Sequence, residues 1–264
     1  MDICNVIVTG KSGAGKQPRI DVLKDLFNLK QLSTGDLFRS CIKAFNELGI
    51  EKDITEYAEK TILDDEEAMK ILHGADFKEV EKDELLLGLR SKWYSYQGLF
   101  VPDDITNSVF KHYFLQGNAC MFVLDGYPRT KSQCRFLLDL CSEMKTSISF
   151  LLLVENDDER IISRTIGRRI CPVCKTVYHI DYKPPLNGKF CYNDGAEVVL
   201  RADDMEEKIR RRLNEYYEKT IESLEFLMEN NIPIAKVTGH LEDFSEENVK
   251  KSVLDSLEKI GLTV

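Results

Sequence analysis

The sequence predicts an α/β protein of three layers, a parallel sheet held between two sets of helices. Three observations predict it. A short apolar run (Val6, Ile7, Val8) ends in a glycine-rich turn and passes directly into a helical pattern (Ile20, Leu23, Leu26, Phe27). Further short apolar runs follow at residues 121–124, 149–154 and 234–237, each bounded by turn residues. Helical periodicity fills the stretches between, and strands alternating with helices are the pattern of parallel βαβ units.

The first unit carries the chemistry. Residues 7–19 read I-V-T-G-K-S-G-A-G-K-Q-P-R, with Gly10, Gly13, Ala14 and Gly15 leading to Lys16 at a helix start. Glycines at these places let successive backbone N–H groups point into one concavity, while the helix start and Lys16 add positive charge. That is a cradle for phosphate. Gln17 and Pro18 stand where this motif places Ser or Thr, so a hydroxyl for Mg2+ and phosphate is missing, and Pro18 has no N–H. Proline in a first helical turn is sterically acceptable, so the helix is expected to form.

Residues 31–39, Q-L-S-T-G-D-L-F-R, predict a short strand, a turn and a second helix, with Ser33, Thr34 and Asp36 as cap chemistry and Arg39 one turn in. From Cys41 to about Gln97 the chain is helical and highly charged, its charge runs reading as solvated faces. Leu85, Leu86, Leu87, Leu89, Trp93 and Tyr94 form a local apolar face; a partner surface is the alternative. Val101-Pro102-Asp103-Asp104 opens another helix. The strand at 121–124 then runs into Asp125-Gly126-Tyr127-Pro128-Arg129-Thr130, and an acid at the carboxyl end of a parallel strand is where a metal or its waters sit. The strand at 149–154 leads to a helix on which Arg160, Arg164, Arg168 and Arg169 recur at helical spacing, predicting one cationic face. A long helix follows residues 201–204 and carries Arg210, Arg211 and Arg212; a last strand and a closing helix (246–260) complete the pattern.

Of eight cysteines, Cys4, Cys41, Cys120, Cys134 and Cys141 sit singly among apolar neighbours and read as small buried hydrophobes. The other three belong to two knuckle pairs, Cys171-x2-Cys174 and Cys191-x2-Asp194, which supply three thiolates and a carboxylate for a closed tetrahedral Zn2+ site. His179, between the pairs, is a competing ligand. Four protein ligands leave no open position, so the metal is expected to be structural. The insert interior is not basic enough for a nucleic-acid-binding ribbon.

The 264 residues fit one large α/β unit with insertions, and 43% hydrophobic content supplies a sizeable core. A formal charge of −9 argues against general nucleic-acid or anionic-membrane binding. No apolar run reaches transmembrane length, and the first strand begins too early for a signal or transit peptide, so a cytoplasmic location is expected.

Five stretches, in order and across nearly the whole chain, resemble the adenylate kinases: residues 10–19, 32–39, 125–133, 163–171 and 201–213. The Y-H-I-D-Y-K-P-P run at 178–185 is similar to the long lid of that family, and the Cys/Cys/Cys/Asp set to its zinc-bearing lid. The resemblance implies the P-loop nucleoside monophosphate kinase fold. Its expected divisions are a core (1–38, 101–167, 205–264), an enlarged helical monophosphate-binding region (39–100) and a zinc lid (168–204). It implies transfer of the γ-phosphoryl group of ATP to AMP, giving two ADP, by a monomer. Thr34, Arg39, Val101, Gly126, Arg129 and Gln133 would form the AMP site, with Arg39 and Arg129 on the phosphate and the Gln133 amide on the adenine edge. Gly10, Gly13, Ala14, Gly15 and Lys16 would hold the donor phosphates, and Arg164 would stack on the donor adenine. Arg168, Arg201 and Arg212 would reach the transferring group; Asp125, with Asp36, would act through waters of Mg2+. Asp203 and Asp204 would hold lid and core together.

Three departures stand out: Gln17-Pro18 in the cradle, a segment between Arg39 and Val101 several helical turns longer than the family's, and Thr238 where an acid is often found. The long segment, about residues 50–97, would cover the site or meet a protein partner. Two alternatives to the ATP:AMP reaction are GTP as donor and a nucleotide-binding paralogue with little turnover, acting as a regulator or scaffold.

Overall fold

A computed structural model describes residues 3–50, 53–72, 82–97, 101–181, 183–200 and 204–263. Five parallel strands form the central sheet in the order β2-β3-β1-β4-β7: β1 (Asn5–Thr9), β2 (Lys30–Ser33), β3 (Phe122–Asp125), β4 (Ile148–Glu155) and β7 (Ile234–Thr238). Chain order departs from spatial order at β1, which lies between β3 and β4. In such a sheet the crevice beyond the carboxyl ends of the strands at this reversal is where ligands bind. Both faces of the sheet are covered, so adjacent strand residues enter different cores. Ile7 and Leu124 join one apolar cluster; Val6, Val8 and Val123 join the other. The α/β class and the parallel sheet follow the sequence expectation.

Helix α1 (Lys16–Phe27) and the closing helix α11 (Glu246–Glu258) cover the second face, and α2 (Thr34–Glu47), α6 (Asp103–Gln116) and α7 (Lys131–Glu143) the first. The long segment folds as short helices α3 (Glu59–Leu63) and α4 (Asp65–Leu72) and the longer α5 (Lys82–Gln97). Leu85, Leu86, Leu87, Leu89, Trp93 and Tyr94 are all buried in one cluster with Cys41 and Phe45 of α2, which makes them core. Polar ties finish the insertion. Arg90 donates to the carbonyls of Ile62 (3.1 Å) and Leu63 (2.7 Å), Trp93 Nε1 to Tyr57 (3.1 Å), and Tyr94 Oη to Glu59 (2.7 Å).

Three expectations are corrected. Cys4 and Cys120 are joined as a disulfide, because they precede the neighbouring strands β1 and β3 and their Cα atoms lie 5.3 Å apart. Arg164, Arg168 and Arg169 do not share a helix face: α8 (Asp158–Ile166) stops at Gly167, and Arg168 begins strand β5 (Arg168–Ile170). Strand β5 pairs antiparallel with β6 (Val177–His179), so the metal-type insert is a small β unit. Ser33 gives no side-chain cap to α2; the Thr34 hydroxyl instead donates across to the Gly126 carbonyl (3.1 Å). The long helix is continuous from α9 (Glu206–Glu215) through a π-helical turn (Tyr216–Thr220) into α10 (Ile221–Glu229). None of the described helices is long and apolar enough to cross a membrane.

Candidate active site

The glycine loop follows β1 directly and turns into α1, with φ of 144° at Gly10, 87° at Gly13 and 98° at Gly15. These are left-handed values that side chains resist. Ala14 is buried, its N–H held by the Lys11 carbonyl (3.0 Å). Lys16 opens the helix, and its Nζ reaches back to the Gly10 (3.2 Å) and Lys11 (3.3 Å) carbonyls. Lys16 is only partly exposed and lines the wall of the cleft. Burial pushes its pKa down to about 8; Arg129 and Arg212 repel it further, and Asp125 opposes the shift. Lys16, Arg129 and Arg212 converge on this cleft, and such a cluster of cations suits a polyanionic ligand. Pro18 is the third residue of α1, where it is tolerated. Gln17 does not line the cleft: its amide donates to Asp21 (3.0 Å) and Gln31 (3.0 Å), and Gln31 donates on to Asp125 (3.3 Å).

A cleft of about 380 Å³ opens above the strand ends. Its walls bring together Gly10 and Lys16 from the cradle with Thr34, Val101, Gly126, Arg129 and Gln133 from the other side, and Arg212 from the long helix. Gly126 explains the close approach there: its φ is 75°, and a Cβ would stand 2.8 Å from Arg129 Nη2 and 3.1 Å from Thr34 Oγ1. Arg129 Nε donates to the Gly126 carbonyl (2.8 Å). Gln133 is buried, accepts from the Arg129 N–H (2.8 Å) and donates to Asp103 (2.7 Å). An amide nitrogen has two hydrogens, so a second remains for a ligand. Arg39 and Asp36, both exposed, pair with each other on α2 rather than lining the cleft.

Arg164, on α8, and Arg168, at the start of β5, lead into the metal-type insert. Arg164 sits beside Gly15, its Nη1 3.5 Å from where a Cβ would stand, and over the Phe244 ring at 5.9 Å. Arg168 forms a two-pronged pair with the buried Asp204 (2.8 and 2.6 Å), which Arg212 approaches at 3.9 Å. Arg201 and Asp203 lie outside the described residues.

In the metal-type insert the ligand atoms of Cys171, Cys174, Cys191 and Asp194 all lie within 4.8 Å of one another. Backbone N–H groups of Val173, Cys174 and Asn193 point at the cysteine sulfurs, each at 3.4 Å. Three soft sulfurs and one oxygen at this separation fit a tetrahedral Zn2+. His179 is not of the set: its buried ring packs on Gly167, and its Nδ1 accepts from the Asp181 N–H (3.1 Å).

Several cleft residues carried no usable signal in the sequence. Asp103, expected from the sequence only as part of a helix start, holds both Gln133 and the Thr130 hydroxyl (2.7 Å). The π-helical turn brings Tyr216, Lys219 and Thr220 to the cleft beside Glu215, whose carboxyl burial pushes up. π-Helical turns interrupt α-helices mostly at functional places, but nothing in the residues 216–220 announces one. Lys11 pairs with Asp158 (2.5 Å) and lies over the Tyr217 ring at 4.8 Å, tying the cradle to α8 and the long helix.

A family model described as adenylate kinase matches residues 55–232. The adenylate kinase of Acholeplasma laidlawii is 32% identical over 92% of this chain and 98% of its own length. Those of Oceanobacillus iheyensis and Bacillus subtilis are each 30% identical over 89% of this chain, and over 91% and 90% of their own lengths. The family model spans the metal-type insert and these relatives cover most of this chain, and with them the chain is placed in the adenylate kinase family of phosphotransferases.

Proposed function

We propose that this cleft transfers the γ-phosphoryl group of ATP to AMP, giving two ADP. The observation that carries the reading is the meeting of two half-sites in one cleft: Lys16 and the glycine loop on one side, Thr34, Gly126, Arg129 and Gln133 on the other. Phosphoryl transfer asks for positioning and charge neutralisation more than for a covalent protein group. Lys16 and the loop N–H groups would bind the donor phosphates, Arg129 the AMP phosphate and the Gln133 amide the AMP base. Mg2+ would neutralise the donor phosphates, and Asp125, braced by Gln31, would hold its waters. Arg164 would meet the donor base, while Arg168 and Arg212, steered by Asp204, would reach the group in transit. Zn2+ held by Cys171, Cys174, Cys191 and Asp194 would stiffen the lid, and closure of that lid would exclude water and favour AMP as acceptor. Residues 39–100 would act as the monophosphate-binding region. Cytoplasmic location, a monomeric state and a protein partner on the insertion belong to this proposal.

A second reading, nucleotide binding without turnover, is favoured by one observation: Gln17 and Pro18 offer neither a hydroxyl nor, at 18, an N–H to the donor. Titration with two adenosines joined through five phosphates tests the two-site geometry. Binding of one inhibitor per chain that excludes both ATP and AMP is expected; exclusion of only one nucleotide contradicts it.

A further inference from the structure

Arg19 is a fully buried guanidinium with no carboxylate partner among the described residues. Its Nη1 donates to the Gly15 carbonyl (3.2 Å) and its Nη2 to the Thr238 carbonyl (2.7 Å), so it links the end of the cradle to the end of β7. Its Nε is buried without a hydrogen-bond partner. The Phe244 ring lies 5.0 Å from its Cζ, and Arg164 stands over the same ring, so two cations share one aromatic platform beside Gly15. Burial, then repulsion from Arg164, pushes the Arg19 pKa down to about 10. A buried cation that is unpaired and repelled costs free energy in the empty protein, and an anion entering nearby relieves that cost.

We propose that Arg19, with Phe244 beneath it, is a positioning residue for the donor nucleotide, holding Gly15 of the cradle in place and adding positive charge behind a turn whose Gln17-Pro18 pair offers the phosphates neither a hydroxyl nor, at 18, an N–H. The inference rests on the donor reading of the glycine loop given above. It predicts an effect confined to the donor. A structural strut alone would change stability without separating donor from acceptor.

Arg19→Met, Arg19→Lys and Phe244→Leu are compared with the parent chain by KM for ATP and for AMP, or by the corresponding Kd, and by melting with and without ATP. Arg19→Met is expected to raise the ATP constant about tenfold or more and the AMP constant by less than about twofold, and to shrink the ATP-induced rise in Tm. Arg19→Lys, which keeps the charge, recovers part of the loss. Phe244 is half-exposed, so its replacement does not threaten the fold, and it should raise the ATP constant about threefold. If Arg19→Met does not fold, the Lys and Leu variants decide. Equal changes in both constants, or a fall in Tm with neither constant altered, overturns the proposal. Failure of the parent chain to bind ATP at all would instead strike at the donor reading itself.

Discussion

Arg168 grips Asp204 with both Nε (2.8 Å) and Nη2 (2.6 Å), and the Asp204 side chain is wholly buried while the arginine keeps partial contact with solvent. The geometry is the strong, bidentate kind. It joins the first strand of the metal-type insert to the foot of the long helix, and Arg212 of that helix leans on the same carboxylate. Removing Asp204 leaves two cations without their anchor. Asp204→Ala is expected to cost about 3 kcal/mol in denaturant unfolding, and to lower kcat more than it raises either KM.

Lys16 gives the account a pH signature. Its ammonium titrates near 8 in the folded chain against 10.5 ordinarily, burial being the main cause. Below about 8 the lysine is charged in both folded and unfolded chains, and folding carries the burial penalty. Between 8 and 10.5 the unfolded chain holds more protons, so this group makes stability rise with pH across that window. Ligand binding moves the other way. ATP needs the charged lysine, so its affinity should fall by up to about tenfold per pH unit above 8, and binding near pH 8 should take up protons. Calorimetry in two buffers of different ionisation enthalpy reads that uptake; its absence would show that Lys16 does not meet the phosphates.

On the proposed acceptor side, Gln133 and Asp103 form a hydrogen-bonded pair. Asp103 holds one amide N–H of Gln133, while the Arg129 N–H holds its oxygen, fixing which way the amide faces. Asp103→Ala frees the amide to rotate. The KM for AMP should rise about tenfold with the KM for ATP unchanged; a parallel rise in both would remove Gln133 from the acceptor base.

Much of this was legible in the sequence, for physical reasons. Strands β1, β3, β4 and β7 announced themselves as short apolar runs because both sheet faces are buried. The glycines of the cradle take left-handed φ values that other residues resist, and the knuckle pairs carry the short spacing of a metal-ligand motif. What was not legible depends on contacts between distant segments. The Cys4–Cys120 bond needs β1 and β3 side by side, and Arg19 meets Thr238 only because β7 lies at the end of the sheet beyond β4. The break at Gly167 likewise sends Arg168 onto a strand towards Asp204, a partner that helical spacing could not supply.

The metal site has its own test. Elemental analysis should give about one Zn2+ per chain, and Cys171→Ser or a chelator should lower Tm by about 5 °C or more. Because all four ligands come from the protein, adding back Zn2+ should restore stability before turnover is measured. A chain that melts identically with and without chelator contains no structural zinc.

The central claim is that the cleft remains a working phosphotransferase despite Gln17 and Pro18. A coupled assay with ATP, AMP and Mg2+ tests it most directly, with Lys16→Ala as the control and Gln17→Gly/Pro18→Thr as the restored cradle. ADP formation well above the control is expected, rising further in the restored chain. Turnover equal to that of Lys16→Ala, in a chain that still binds both nucleotides, would contradict it.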